Sequence, residues 1–347
     1  MSTPPFGRSH GASYAGARET FIETPPGATA EMSRIIIARD EAIARTADAE
    51  RLVAEALAAF PVLAADAEED LLPRKKGVGR CRICGQERKL TKEHIPPRAA
   101  FNRYRGQLHS IVEWLQRDGL GAMRGGIHQQ DGVWGYTLCK RCNDLTGHRY
   151  AGEYREWART ALKMFANEDV SVLDAQLEQP VGEFGFLGDA EHAAPRPGAF
   201  VREVLALMCS MGADLDLAGR YPAIRRLILD PSVEALPNGM SLGLTMFLGG
   251  RARFAGPSLV VEPSTGVWRV VMEVAYPPLA TLMVLATNGP GPHTCDVSHL
   301  TLVAPDLHQV FAGQFAVGFG HAGMPGDYRT KAMIEAAADP KERTFQA

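Results

Sequence analysis

Two Cys-x-x-Cys pairs constrain this chain more than any other feature of its sequence. The pairs are Cys81 with Cys84 and Cys139 with Cys142, and four thiolates in two such pairs fit a closed, tetrahedral zinc site. Four unligated core cysteines are the alternative. A redox dithiol is disfavoured because neither pair opens a thioredoxin-like strand and helix. The sequence therefore predicts a structural Zn²⁺ that joins two distant parts of the chain.

A short motif lies between the two cysteine pairs. It reads Glu93-His94-Ile95-Pro96, and Asn143 follows the last cysteine directly. A carboxylate and histidine dyad followed by proline, set between two zinc knuckles, is typical of the HNH nuclease superfamily. Over about 70 of its residues, the chain resembles the zinc-knuckle branch of that superfamily that includes recombination endonuclease VII.

The resemblance implies roles for His94, Glu93 and Asn143 in a ββα-metal fold, and the chemistry of two nearby residues, Arg98 and His148, suggests further roles. His94 would be the general base that takes a proton from the attacking water, since a neutral imidazole suits that role. Glu93 and Asn143 would hold a catalytic Mg²⁺ or Mn²⁺, with His148 as a second choice of ligand in place of Asn143. Arg98 would hold the scissile phosphate through its forked donors. The zinc would only hold two strands against the following helix.

The chain departs from the family pattern at one position. A middle Asn is absent, and Trp134 stands there, five residues before Cys139. Another group must then orient the His94 ring, and the backbone and Asp131 are the candidates. The gap from His94 to Cys139 is also long, and we expect an insertion that either contacts nucleic-acid backbone or is a solvated loop.

Positive charge is concentrated in the same part of the chain. Residues 74–160 hold 18 Lys and Arg against 8 Asp and Glu, a net charge of +10, whereas the whole chain carries −3. Such a segment attracts polyanions, and a solvated basic surface is the alternative. Together with the motif, the charge predicts nucleic acid as the partner, with DNA favoured over RNA.

Composition and hydrophobic patterning divide the chain into three parts, and the predicted fold class is α+β. At 347 residues the chain exceeds most single cores. Residues 1–72 are predicted to be a flexible tail and a helical arm, with an amphipathic helix from Glu31 to about Phe60. Residues 73–165 are predicted to be a zinc-stapled HNH module, and residues 166–347 a mixed α and β domain.

The C-terminal part shows patterns of both helices and strands. Helices are expected at 200–211 and 221–229, and strands at 242–248, 258–262, 267–274 and 279–285. Gly and Pro between these strands favour hairpins, and so an antiparallel or mixed sheet. A short helix is expected at 332–338. Cys209 and Cys295 are expected to be core thiols.

Three functions remain open at this level. The first is a metal-dependent DNA endonuclease, with a role as phage-defence effector suggested by domain layout alone. The second is a catalytically inactive, zinc-stapled binding or adaptor protein, and the third is an RNA-directed nuclease. No apolar run is long enough for a membrane helix, so we expect a cytoplasmic protein without membrane contact. A homo-oligomer or a partner protein is expected at the N-terminal helix or the C-terminal domain.

Overall fold

The computed structural model describes most of the chain between its two ends. The described residues are 12–14, 17–23, 34–39, 46–60, 63, 71–103, 106–108, 127–167, 182–186, 195–230, 232–246, 252–262, 265–289, 294–308 and 311–315. They form a mixed helix and sheet structure, as the sequence predicts at the level of fold class.

The strands and helices have the following bounds. The strands are β1 (Ala12–Tyr14), β2 (Ala17–Glu23), β3 (Arg34–Arg39), β4 (Val78–Arg80), β5 (Glu87–His94), β6 (Gly106–Leu108), β7 (Ile127–Gln129), β8 (Trp134–Cys139), β9 (Gly182–Phe186), β10 (Ser241–Met246), β11 (Arg253–Glu262), β12 (Val267–Tyr276), β13 (Leu279–Thr287), β14 (Cys295–Asp296) and β15 (Phe311–Phe315). The helices are α1 (Thr46–Ala59), α2 (Lys140–Arg149), α3 (Ala151–Asn167), α4 (Pro197–Ser210), α5 (Leu217–Arg220) and α6 (Pro222–Leu229). Short 3₁₀ turns cover Ala213–Leu215 and Ser298–Leu302.

Two strands and a helix bring the cysteines together. β5 and β8 pair antiparallel, with Leu90 opposite Cys139 at one end and His94 opposite Trp134 at the other. β4 pairs with the other edge of β5, and α2 begins directly after β8. A bulge at Thr137 of β8 shifts the pairing between Thr91 and Lys92 of β5. Leu90 and Glu93, on either side of this point in β5, are both buried.

The largest layer is an eight-stranded sheet with the order β1-β2-β3-β11-β12-β13-β10-β14. The pairs among β10, β11, β12 and β13 are antiparallel, whereas β3 runs parallel to β11. Runs of Val, Leu and Met bury β12 and β13 over most of their length, as expected for central strands covered on both faces. The sheet is therefore mixed, as the sequence predicts.

Helix α4 lies at the centre of the molecule. All 14 of its residues are buried, so protein covers it on every side. Phe200 of α4 stacks on Trp157 of α3 with ring centroids 4.0 Å apart, and α4 also contacts β12 and α6. One continuous cluster of buried side chains runs from the cysteine module through α4 to the large sheet. The division into separate domains at residues 73–165 and 166–347 stays a prediction, since both parts share this core.

The N-terminal part differs from the sequence prediction. Its predicted tail contains β1 and β2, and the helix predicted from Glu31 is wrong over Arg34–Arg39, which form β3. Three consecutive isoleucines in β3 suit a strand because their branched side chains pack well on a pleated surface. The helix begins only at Thr46 and contacts β11 and β12. These segments therefore join the large sheet.

The C-terminal predictions are closer to the structure. The helices expected at 200–211 and 221–229 correspond to α4 and α6, and the four expected strands correspond to β10, β11, β12 and β13. Cys209 and Cys295 are buried free thiols, as expected. The helix expected at 332–338 and residues 109–126 of the insertion lie outside the described residues. Within the described part of the chain, no helix has the length and apolar character needed to cross a membrane.

Candidate functional site

The four cysteines form a compact cluster. Their Sγ atoms all lie within 4.8 Å of one another, and Cys84 Sγ is 3.9 Å from Cys139 Sγ. A tetrahedral zinc ion with Zn–S bonds of about 2.3 Å needs sulfur atoms roughly 3.8 Å apart, so these residues fit zinc. The predicted ligand set of Cys81, Cys84, Cys139 and Cys142 is therefore compatible with a structural metal site.

Backbone groups and neighbouring thiols prepare this site for a metal ion. Gly85 adopts a left-handed φ of 73° and donates its N–H to Cys81 O at 2.8 Å. The N–H of Cys139 donates to Cys81 Sγ at 3.3 Å. A hydrogen bond with the Cys142 thiol is the largest cause that lowers the pKa of Cys81 to about 4. Because zinc binds thiolates, zinc binding would displace the thiol protons of these cysteines.

His94 ends β5 with its ring partly exposed. Its Nε2 lies 3.0 Å from the backbone oxygen of Asp131 and 3.5 Å from the carboxylate Oδ2 of the same residue. A carbonyl oxygen can only accept, so Nε2 carries the ring proton and Nδ1 keeps its lone pair. Burial, followed by the charge of Lys92, lowers the pKa of His94, which favours the neutral form of the ring. An imidazole in this state can act as a general base.

Asn102 holds the segment that presents Asp131. Its buried side chain donates from Nδ2 to the carbonyls of Pro96 at 2.7 Å and Val133 at 2.8 Å. Its Oδ1 accepts from the Val133 N–H at 2.7 Å. Gly132 has a φ of 72°, and a Cβ there would come within 2.2 Å of the Asn102 backbone oxygen. This packing fixes the carbonyl that orients the histidine ring, the role for which the sequence left the backbone and Asp131 as candidates.

Cationic side chains surround the histidine. Lys92 Nζ lies 2.8 Å from Asp131 Oδ2, and Arg98 Nη2 lies 3.0 Å from Asp131 Oδ1. The hydrogen bond from Lys92 is the largest cause that lowers the pKa of Asp131 to about 2. The Trp134 ring faces Arg74 at 4.4 Å and Lys92 at 4.8 Å. Lys92 and Arg98 against one carboxylate make this surface positive, and it includes the arginine expected to hold phosphate.

Glu93 points away from the histidine, into the protein. Its carboxylate Oε2 accepts hydrogen bonds from Thr137 Oγ1 at 2.8 Å and from Ser210 Oγ at 2.9 Å, and the residue is 5% exposed. Burial raises the pKa of Glu93 to about 7, although both hydroxyl groups lower it. Because Ser210 is the last residue of α4, this acid joins β5 to the central helix.

Asn143 lies in the first turn of α2 and contacts β5. Its Nδ2 donates to Thr91 Oγ1 at 3.0 Å and to Lys92 O at 2.9 Å. Neither bond uses Oδ1, the atom that a hard cation requires. Glu93, however, is sealed in the interior by two hydroxyl groups. The two residues predicted to hold Mg²⁺ or Mn²⁺ therefore do not form an open cation site in this conformation.

His148 is not brought to the same place. It is exposed in the last turn of α2. Five helical residues at about 100° each place it roughly 140° around the helix from Asn143. The structure thus directs these two side chains to different sides of α2.

Comparison with known proteins adds no relative. No protein-family model, no curated protein and no solved structure matches the chain. The resemblance to the HNH superfamily therefore rests on the motif itself.

Sequence reasoning missed several groups that shape the site. Ser210 is 117 residues from Glu93, and Thr137 is 44 residues from it, so no local pattern connects them. Lys92 could have been found, because residues two apart on a strand share a face and Lys92 precedes His94 by two positions.

Proposed function

We propose that the chain hydrolyses phosphodiester bonds in nucleic acid, with DNA favoured, and that His94 is its general base. The observation that carries the proposal is the 3.0 Å contact between His94 Nε2 and the Asp131 carbonyl, which leaves the Nδ1 lone pair for a proton of water. The lowered pKa of His94 supports this role because the base must be neutral. The arrangement of β5, β8 and α2 around the four cysteines supports it as well.

The reaction can be written with the residues of this surface. A water molecule gives a proton to His94 Nδ1 while its oxygen bonds to phosphorus. The bond from phosphorus to the leaving oxygen breaks on the opposite side, and that oxygen takes a proton from solvent. Negative charge grows on the phosphate oxygens during attack, and Arg98 and Lys92 are the cations that can stabilise it. Asp131 keeps both side chains beside the base until the substrate arrives.

The divalent cation implied by the family resemblance has no step in this scheme. Glu93 would have to leave the hydroxyl groups of Thr137 and Ser210 before it could bind Mg²⁺ or Mn²⁺. We therefore propose that His94 and its neighbouring cations bind and hydrolyse the phosphodiester, and that Glu93 stabilises the contact between β5 and α4.

A second function, nucleic-acid binding without cleavage, is favoured by the burial of Glu93. Many nucleases of this chemistry depend on a metal ion that stabilises the leaving group. With its acidic ligand sealed inside the protein, the module would bind a nucleic-acid backbone on its positive surface and leave the bond intact. In that case the four-cysteine zinc site would stabilise a module that binds nucleic acid without cutting it.

Cleavage of supercoiled plasmid DNA separates the two functions. Zinc-loaded wild type, His94→Ala and His299→Ala are incubated with the plasmid in Mg²⁺ or in Mn²⁺, and nicked and linear products are quantified on a gel. His299 is an exposed histidine in the 3₁₀ turn Ser298–Leu302 and serves as the matched control.

We expect the wild type and the control to cut. Removal of a general base costs about 10²–10⁴ in rate, so His94→Ala should cut at least roughly 100-fold more slowly. DNA binding by all three proteins without cutting would support the adaptor function. Equal cutting by all three would rule out His94 as the base.

A further inference from the structure

A cavity beside the cysteine cluster is lined by several positively charged side chains. It has a volume of about 240 Å³, and three of the four cysteines line it. Its lining also includes Arg88, Arg141 and Arg225, and it includes no Asp or Glu. The cavity thus offers guanidinium groups to a ligand and no acidic group that would repel an anion.

The three arginines come from different elements. Arg88 lies on β5, Arg141 in the first turn of α2, and Arg225 on α6. Gly85 makes room for the last of these, because a Cβ on Gly85 would lie 3.2 Å from Arg225 Nη2. The cavity therefore exists only because α6 packs against the cysteine module.

No carboxylate in the described part of the chain pairs with these arginines. Arg88 Nε donates to the neutral side chain of Gln86 at 2.8 Å. Arg225 Nε is buried without a hydrogen-bond partner among the described residues, whereas its neighbour Arg226 is paired with Glu234. A buried donor without an acceptor costs free energy, so an acceptor from outside these residues would stabilise Arg225.

The metal site does not neutralise the arginines completely. Four thiolates and one Zn²⁺ carry two net negative charges, and the three guanidinium groups carry three positive charges. One positive charge remains. The planar, forked donors of guanidinium match the several oxygen atoms of a phosphate group better than they match a simple halide ion.

We propose that this cavity binds a backbone phosphate of nucleic acid, at a second contact point away from the bond that is cut. The inference rests on the proposed function, because the same nucleic acid must also reach His94. Arg88 and His94 are six positions apart on β5, or about 20 Å at roughly 3.3 Å per residue. Phosphates of one DNA strand follow each other every 3.4 Å or so along the axis, so the two contacts would be about six nucleotides apart.

Binding of a short fluorescein-labelled DNA duplex to the zinc-loaded full chain tests this inference. Affinity is measured over a series of salt concentrations without Mg²⁺ or Mn²⁺, so the result does not depend on cleavage. Arg225→Gln and the double variant Arg141→Gln/Arg225→Gln are compared with Arg226→Gln. Arg226 is the matched control because it lies next to Arg225 on α6 and already has an acidic partner. The zinc content of every variant is measured.

Each phosphate contact contributes about 0.9 to the slope of log Kobs against log salt concentration. We expect the slope to fall in magnitude by about 0.9 in the double variant, which removes the one phosphate contact, and by part of that amount in Arg225→Gln, with zinc retained. Arg226→Gln should keep the wild-type slope. If Arg225→Gln does not fold, Arg88→Gln at an exposed position replaces it with the same expectation.

A double variant with the wild-type slope of log Kobs against log salt concentration would overturn the inference. Loss of zinc from the arginine variants with an unchanged slope would also overturn it, since the arginines would then stabilise the metal site alone. A duplex RNA of the same sequence identifies the source of the phosphate, because a lowered slope on RNA alone supports the cavity with RNA as its ligand. A lowered slope in a protein that cuts no DNA keeps the inference while the proposed cleavage fails.

Discussion

Glu93 is an acid for which the interior of the protein favours the protonated form. Burial raises its pKa from 4.5 to about 7. The folded chain therefore holds this proton more tightly than the unfolded chain does. The resulting stability is fully present below a pH of about 4.5 and is lost as the pH rises through about 7. At higher pH the protein pays a free energy to bury the charged carboxylate.

Replacement of this acid by its neutral isostere should remove that cost. We expect Glu93→Gln to raise the free energy of unfolding at about pH 8 by up to about 3 kcal/mol, and to change it little at about pH 5. Denaturant unfolding of the zinc-loaded protein at both pH values measures this. Glu234→Gln is the control, because the pKa of this partly exposed acid is lowered by its partner Arg226 and the change at high pH should not be stabilising.

An unchanged stability at the higher pH, together with loss of DNA cleavage, would instead return Glu93 to the role of cation ligand. At this scale the sequence predicted the four-cysteine cluster, because the chemistry of a metal site depends on short spacings, and the role of His94 stays a prediction. The direction of Glu93 depends on Ser210, which is 117 residues away, and only the fold brings the two together.

The four-cysteine cluster, which could hold a structural metal such as zinc, is the element-scale feature that joins the segment before β5, the end of β8 and α2. Cys142 is the candidate ligand in the first turn of α2, so Cys142→Ser should release that helix from the strands. We expect zinc content to fall from one ion per chain to none. The melting temperature should fall by about 10 °C or more, since a structural zinc contributes several kcal/mol and each is worth roughly 2–4 °C.

Cys295→Ser is the matched control for that experiment. Cys295 is also a buried thiol, but it lies on β14, outside the four-cysteine cluster. It should keep its zinc. Equal zinc content in both variants would argue against the cluster as the metal site.

Strands and helices were predicted well where the hydrophobic pattern fits only one of the two, and poorly where it fits both. β12 and β13 carry continuous apolar runs that suit central strands. The segment around Ile35 and Ile36 fits a helical spacing with the residues after it, and its pairing with β11 selects the strand instead. Pairing partners that lie far away in sequence decide such cases.

The whole molecule shares one core, which has a consequence for its unfolding. Helix α4 is buried on all sides between the cysteine module and the large sheet, and Phe200 stacks on Trp157 within the same cluster. We expect one cooperative thermal transition for the zinc-loaded chain, with coincident curves from tryptophan fluorescence and far-UV circular dichroism. Two separate transitions would show that residues 73–165 and 166–347 fold as independent domains, as the sequence alone predicted.

The pH dependence of the cleavage rate tests the role of His94 most directly. The base acts only when neutral, and burial lowers its pKa from 6.5. We predict that the rate of plasmid cleavage by the zinc-loaded wild type reaches a plateau at neutral pH. The rate should fall at lower pH with a midpoint below 6.5, in proportion to the fraction of neutral His94. The slow residual cleavage by His94→Ala should lack this dependence. A rate that rises through a midpoint near 7 would point to ionisation of Glu93, and a flat profile would contradict general-base catalysis by His94.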